Sequence, residues 1–482
     1  MSPESKMQKL AEVNQAFSKD SAAKKRLEML FDEGTFVETC GFAMAGEEPS
    51  GVVTGYGYVE GELVYAYAQD SEVAGGAVGR VHGEKIAKVY ALAAKTGCPV
   101  VAVFDSNGAR LDEGNDALAA YGEMLMWSNN LSGVVPQISV VLGVCAGCAA
   151  MLATSADLVV MSEKAELFMT PPFTAKANGE RVEGAGTAEN AAKAGVAHIV
   201  CADDAAAMQT VKELLMKLPE NNLAVTPIAE FAENENGQST LAAAFADIEH
   251  ADVKSVLAAV ADADSVVELQ SAFGQAAYTA LAGIQGSTVG LIATDKTNGA
   301  LDSDASAKIA RFVRMCDAFA IPIVTFVDTE GFAQSAKGEL AGSIREAAKL
   351  AHAYAEATCP KISVVIGSAY GPAYIALAGK NANADVTIAW PSAVISALKP
   401  EATVEFLWHD KLKDAEDVAA KRAELVTEYV DTVASPFEAA KGGSIDQVID
   451  PALTRGTIIN ALDMLAGKRV SKLPKKHGNM PF

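Results

Sequence analysis

The sequence predicts an α/β protein built from two copies of one unit. Three observations predict it. The chain repeats itself at a nearly constant offset. Helix-like segments alternate with short apolar, β-branched runs that end in glycine. Half of the 482 residues are hydrophobic, enough for a sizeable core and too many for a disordered chain. At ~150 residues per domain the length admits two large domains or three smaller ones.

The repeat is explicit. KIAKVYALAAKTGCPVVAVFDSNG begins at Lys85 and KIARFVRMCDAFAIPIVTFVDTEG at Lys308, an offset of 223 that pairs Pro99 with Pro322, Asp105 with Asp328 and Gly108 with Gly331. VPQISVVLGVCAGCA from Val135 meets CPKISVVIGSAYGPA from Cys359 at an offset of 224, pairing Gly143 with Gly367, Gly147 with Gly371 and Ala149 with Ala373. A duplicated α/β unit follows. Each copy reads in order as a helix, a short turn with proline, an apolar strand, a glycine loop, a second helix, another proline and an apolar strand. A glycine-rich helix start and one more strand (ADLVVM, ADVTIAW) complete it. TGYGYVEG at Thr54 reads as a strand and turn. The uncharged stretch from Val134 to Ala156 holds Pro136, Gln137, Ser139, Gly143 and Gly147 among strand-length apolar runs. It reads as a buried strand plus a small-residue helix and not as a membrane span. Polar PENNLAVTP and ENENGQ form a linker, with the second copy's elements expected from about Asp247. The domains are placed at 1–225 and 226–482.

Charge excludes some functions. With 39 Lys+Arg against 61 Asp+Glu the net charge is −22, a field that opposes nucleic acid and anionic membranes. Seven cysteines form a sparse, odd set that argues against a disulfide framework and for a reducing compartment. The polar N-terminus carries no signal-peptide pattern, so a cytoplasmic, soluble chain is expected.

Familiar catalytic motifs are missing. There is no GxSxG elbow and no GxxxxGK[ST] loop. Cys145-Ala-Gly-Cys148 is a CxxC without a second pair or a nearby histidine, so no metal is expected. A thiol at a helix start could still carry redox chemistry. The six histidines are scattered and fit no Ser/His/Asp or HExxH pattern. What remains is the strand–glycine–helix junction, present at FDSNGAR and GVCAGCA and again at VDTEGF and GSAYGPA. Helix starts have unpaired N–H groups and a positive dipole end. Two such groups aimed at one point stabilise an enolate or tetrahedral oxyanion. Tight helix–strand packing would use the same small residues, and glycine spacing alone leaves that alternative open.

Nearly the whole chain resembles the carboxyltransferase subunits of biotin-dependent acyl-CoA carboxylases, such as propionyl-CoA carboxylase beta chains. It equally resembles the alpha subunits of methylmalonyl-CoA and glutaconyl-CoA decarboxylases. The segments that carry this are AKKRLEMLFDEGTFVE, GGAVGRVHGEKI, DSNGARLDEG, SGVVPQISVVLGVCAG, AYGPAY, ADVTIAWPSA and the end, IDPALTRGTIINALDMLAGKRVSKLPKKHGNMPF. The resemblance implies two crotonase-like ββα-spiral domains. It implies that acyl-CoA binds the first and that biotin, on a separate carrier protein, enters through the second domain of a neighbouring subunit. Carboxyl then moves between biotin and the acyl α-carbon in either direction. The oxyanion holes would map to the N–H groups around Gly147 and Cys148 and around Gly371 and Ala373. Gly108 and Ala109 would shape the CoA-side loop, with Arg110 structural or phosphate-facing, and Ile375 would stand where the family tunes acyl length. The implied partners are a biotin carboxyl carrier protein, a biotin carboxylase or membrane decarboxylase subunits, and further copies of the chain, from dimer to hexamer.

The sequence departs from the family pattern at the junctions. Asn107 and Cys148 replace glycines. Pro372 replaces a glycine and has no N–H. Glu330 stands in TEGF where the family has VPGF, and Leu398-Lys399 stands for Met-Gly. Two other readings therefore accompany carboxyl transfer: a biotin-independent acyl-CoA enzyme using one hole, and a non-catalytic paralogue that assembles with an active homologue.

Overall fold

The computed structural model describes residues 2–17, 21–380, 384–413 and 415–481. They form two compact units, Met1–Thr226 and Pro227–Phe482.

In the first unit, α1 (Ala22–Leu30) is capped by the Ser21 hydroxyl, which accepts from the Lys24 N–H. The sheet strands are β1 (Val37–Thr39), β2 (Val52–Val59), β3 (Glu62–Gln69), β4 (Val100–Ser106), β5 (Gln137–Ala146), β6 (Leu158–Ser162), β7 (Glu166–Phe168) and β8 (Ile199–Cys201). Their order is β1-β2-β3-β4-β5-β6-β8, with β7 also on β5. The β1–β2 and β2–β3 pairs are antiparallel and the rest parallel. The longer helices that follow and the one at the β5 junction are α2 (Arg80–Thr96), α3 (Asn115–Leu131), α4 (Cys148–Thr154) and α5 (Asp204–Leu215). Central strands are covered on both faces, which is why β4 and β5 read as unbroken apolar runs.

The second unit repeats the plan. It begins with α6 (Gly237–Ala246) and α7 (Val253–Val260). Its strands are β9 (Val267–Leu269), β10 (Ala277–Ile284), β11 (Ser287–Thr294), β12 (Ile323–Thr329), β13 (Lys361–Tyr370), β14 (Val386–Ala389), β15 (Val394–Ser396) and β16 (Gln447–Val448). The order is β9-β10-β11-β12-β13-β14-β16, with β15 on β13. Between them run α8 (Ser303–Ala318), α9 (Ser343–Glu356), α10 (Gly371–Ala378), α11 (Pro400–Leu407) and α12 (Val418–Thr432), and α13 (Thr454–Leu465) follows β16. The strand and helix expected over Val134–Ala156 are β5 and α4. Two features were not legible. Helix α6 lies in the stretch read as linker, where Leu241 is buried against Val253 and Val256. Helices α11 and α12, with the short helix His409–Lys413 between them, carry a separate small core of Val404, Leu412, Leu425 and Tyr429.

The repeated residues hold corresponding places. Lys85 and Lys308 are buried lysines. Lys85 Nζ donates to Val52 O (2.6 Å) and Ser50 Oγ (3.1 Å), and Lys308 Nζ to the carbonyls of Gln270, Phe273 and Ala277 at 2.8–3.0 Å. Burial lowers both, Lys308 to about 8, but the Lys308 ammonium spends its protons on three backbone carbonyls and is a structural tie.

Asp105 and Asp328 stand opposite the same irregularity. Phe104 pairs with Val141 and Ser106 with Cys145, so one residue of β4 faces three of β5. Val327/Val365 and Thr329/Ala369 repeat it in β12 and β13. Such a bulge leaves ladder groups unpaired. The aspartates fill the gap: Ser368 N–H donates to Asp328 Oδ1 at 2.8 Å. A Cβ on Gly143 would come within 2.1 Å of Asp105 Oδ1, and one on Gly367 within 2.3 Å of Asp328 Oδ1. Cations complete both sites. Arg26 from α1 donates to Asp105 (2.8 Å), Asp204 (3.0 Å) and Leu142 O (3.3 Å). Lys296 lies 2.9 Å from Asp328.

His82 is buried on α2, and burial followed by the charge of Lys85 depresses it from 6.5 to about 3. As pH falls below 6.5 the unfolded chain takes up this proton and the folded chain does not. The His82 contribution to stability is therefore complete above pH 6.5 and lost between 6.5 and 3. We expect thermal unfolding of the first unit to fall more steeply over this range in the wild type than in His82→Gln. Equal slopes would contradict this.

Candidate active site

The sheet bulges aim the ends of β4 and β5 at their loops. In the first unit Gly108, at φ +104°, turns the chain after β4. Its N–H donates to Ser106 Oγ at 3.1 Å, its carbonyl accepts from Val78 N–H at 2.8 Å, and Arg110 N–H donates to Val78 O at 2.9 Å. That arrangement pins the loop on both sides of Ala109, whose own N–H meets no acceptor among the described residues. A Cβ on Gly108 would lie 3.4 Å from Ala146 O, so this loop sits against the end of β5. There Gly147, at φ +59°, makes the turn into α4. Its N–H is taken by Phe168 O at 2.9 Å, so Gly147 shapes the junction and is not an open donor. The next N–H, that of Cys148, has no acceptor among the described residues. The backbone N–H groups of Ala109 and Cys148 thus remain unpaired on adjoining loops, as does that of Ala149 one residue into α4.

Side chains around this point offer little acid–base chemistry. Cys145 is buried and burial raises its thiol, keeping it protonated. Arg110 is mostly buried and pairs with Glu48 (3.2 Å) and Glu113 (3.5 Å). His198 is at the other end of the strands, where its Nδ1 accepts from Val159 N–H at 3.1 Å beside the start of β5. No group of three or more His, Cys, Asp or Glu among the described residues is placed to hold a metal. A cavity of about 330 Å³ adjoins the loop before α2, lined in part by Asp70, Glu72, Ala74 and Lys85.

The second unit repeats the loops. Gly331 has φ +104°, and its N–H and carbonyl bond Thr329 Oγ1 (3.2 Å) and Leu301 N–H (3.0 Å). Ala333 N–H donates to Leu301 O at 2.7 Å, leaving Phe332 N–H in the position of Ala109. Gly371, at φ +49°, matches Gly147; a Cβ there would come within 2.8 Å of Ala397 O. The position of Cys148 is then Pro372, at the start of α10. At the position where the first unit has the open Cys148 N–H the second has none, while the Gly371 N–H, unlike that of Gly147, meets no acceptor among the described residues. Ala373 is fully buried behind it. Ile375 is half-exposed and lines a cavity of about 550 Å³ with Gly371, Pro372, Tyr374 and Ile395.

The fold and its duplicated strand–turn–helix junctions define a double crotonase-type protein. The carboxyl transferase domain matches residues 19–480, and the chain belongs to that family. It is 40% identical to the propionyl-CoA carboxylase beta chain of Saccharopolyspora erythraea, over 95% of this chain and 90% of that protein. It is 40% identical to the methylmalonyl-CoA decarboxylase subunit alpha of Veillonella parvula, over 95% of this chain and 93% of that one. The hexameric transcarboxylase 12S structure with methylmalonyl-CoA and methylmalonic acid bound superposes with a TM-score of 0.92. Its identity is 36%, with 100% of this chain and 99% of that chain covered. Among the described residues no helix is long and apolar enough to cross a membrane.

Sequence reasoning missed three contributors. One is the Ala109 N–H, which meets no acceptor among the described residues. The other two are Arg26 and the ion pair between Glu330 and Lys399 (3.1 Å).

Proposed function

We propose that the chain is the carboxyltransferase component that moves a carboxyl group between biotin, on a separate carrier protein, and the α-carbon of a short acyl-CoA. The reverse decarboxylation belongs to the same chemistry. The observation that carries this is the pair of unpaired N–H groups at Ala109 and Cys148. Removing carboxyl from, or a proton at, the α-carbon of a thioester places negative charge on the thioester oxygen. Two fixed backbone donors stabilise that charge without reorganisation. They need no ionised side chain, in keeping with the protonated Cys145. Biotin supplies the carboxyl acceptor or donor when bound. We place acyl-CoA on the first domain, 1–225, and biotin on the second, 226–482, with Gly371, Ala373 and Phe332 at its junctions and Ile375 bordering the pocket. The relatives are named as subunits of carboxylases and decarboxylases, which supports partner subunits, here a biotin carrier with a biotin carboxylase or membrane decarboxylase subunits, and the hexameric relative supports a homo-oligomer. A cytoplasmic site of action follows from the acidic, cysteine-sparse composition.

Pro372 favours a second reading, a biotin-independent acyl-CoA enzyme that uses only the first-unit donors. Purified chain incubated with malonyl-CoA and methylmalonyl-CoA, with and without free biotin, separates the two. Carboxyl transfer predicts loss of the CoA ester that requires biotin. Equal loss without biotin selects the second reading. No loss together with no CoA binding rejects both.

A further inference from the structure

The two sets of junction loops are copies, so the differences between them are differences in chemistry. In the first unit the loop after β4 carries Asn107, and Pro171 precedes the helix that starts at Pro172. Both are uncharged. In the second unit Glu330 holds the place of Asn107, and Lys399 precedes the helix that starts at Pro400. The two new residues find each other, with Lys399 Nζ 3.1 Å from Glu330 Oε1 across 69 residues of sequence.

The route of that bridge matters. β12 and β15 both pair with β13, and Thr329 and Ser396 lie beside its end at Ala369 and Tyr370. Glu330 directly follows Thr329, and Lys399 follows Ser396 by three residues. A side-chain bridge between these loops therefore crosses the C-terminal end of β13, where Gly371 and Pro372 open α10. The Tyr370 phenol lies within electrostatic range of both charges. Glu330 also holds the Lys399 ammonium above its ordinary value, so it is protonated at neutral pH.

We propose that Lys399, positioned by Glu330, is a donor of the second-unit site and replaces the N–H that Pro372 lacks. Its ligand is a carbonyl oxygen that gains negative charge, of the amide or ureido class. This inference rests on the biotin-side assignment made above. The first-unit site uses two neutral N–H groups. The second-unit site has neutral N–H groups at Phe332 and, one residue before Pro372, at Gly371, and Lys399 adds a charge-assisted donor, which is the stronger kind. The ammonium has three protons and Glu330 needs one. Both side chains are about half-exposed, 45% for Lys399 and 59% for Glu330, so the pair can turn toward a ligand without breaking a packed core.

The test uses the full chain and four forms: wild type, Lys399→Gln, Pro372→Gly and the double variant. Free-biotin binding is measured by calorimetry, and methylmalonyl-CoA decarboxylation with and without biotin is followed alongside it. Lys399→Gln should lower the biotin-dependent kcat by about 10²-fold, the usual effect of losing one oxyanion donor, with CoA-ester binding unchanged. Pro372→Gly should restore most of that loss in the Lys399→Gln background and change little alone. Biotin-dependent turnover that Lys399→Gln leaves intact overturns this inference and leaves the proposed function standing. So does a loss that Pro372→Gly fails to rescue, since Lys399 would then serve another role. A wild type that neither binds nor needs biotin overturns both.

Discussion

Replacing Cys148 by proline should reduce kcat for any acyl-CoA the chain turns over by about 10²–10³-fold, the cost of one oxyanion donor. Cys148→Gly should leave it near the wild-type value. The contrast isolates the backbone N–H from the thiol, because both variants remove sulfur and only one removes the donor. The protein itself shows that proline fits this place. Pro372 occupies the same position at the start of α10, after a glycine of similar positive φ. Proline is tolerated at the first helical position, where no intrahelical bond is lost. Thermal stability of Cys148→Pro should therefore stay near that of the wild type. Equal rates for the proline and glycine variants would remove the Cys148 N–H from the chemistry. A loss in both would point to the thiol.

The second large effect concerns Arg26. Its guanidinium joins Asp105, Asp204 and Leu142 O, and its side chain is 11% exposed, against 13% for Asp105 and 38% for Asp204. Arg26→Met leaves Asp105 with Ser71 Oγ (2.9 Å), the bulge carbonyl unpaired and Asp204 without this cation. Breaking one side of a buried ion pair costs about 3–5 kcal/mol. The openness of Asp204 to water places the expectation near the lower end, about 3 kcal/mol. Denaturant unfolding should show the first unit melting earlier, with the second unit unmoved. Arg26→Met combined with Asp105→Asn should recover part of the loss, since the uncompensated charge is then removed. An unchanged transition would show that the bulge needs no cation.

Duplication made much of the fold legible. Lys85 and Lys308, Asp105 and Asp328, and Gly143 and Gly367 recur because each pair does the same geometric work. The lysines tie strand-end carbonyls, and the aspartates fill bulges that only glycine permits. What stayed hidden lay outside the repeat. Arg26 comes from α1, 79 residues before Asp105, and the second unit meets the same need with Lys296 from a different element. The donors at Ala109 and Phe332 are backbone groups, on which side-chain identity has no bearing. Glu330 and Lys399 were each visible as a departure, but their pairing depends on two loops meeting over β13. Helix α6 was lost in a polar stretch because Leu241 and its neighbours present only a short apolar face.

The central claim is that carboxyl leaves the acyl α-carbon for biotin. The most direct measurement follows the carboxyl carbon itself. Methylmalonyl-CoA labelled in its free carboxyl is mixed with the chain and biotin, and the label is traced before carbon dioxide is collected. The account predicts label on biotin in acid-labile, base-stable form, appearing as propionyl-CoA forms and absent when biotin is omitted. Label that passes straight to carbon dioxide at the same rate with and without biotin would contradict it.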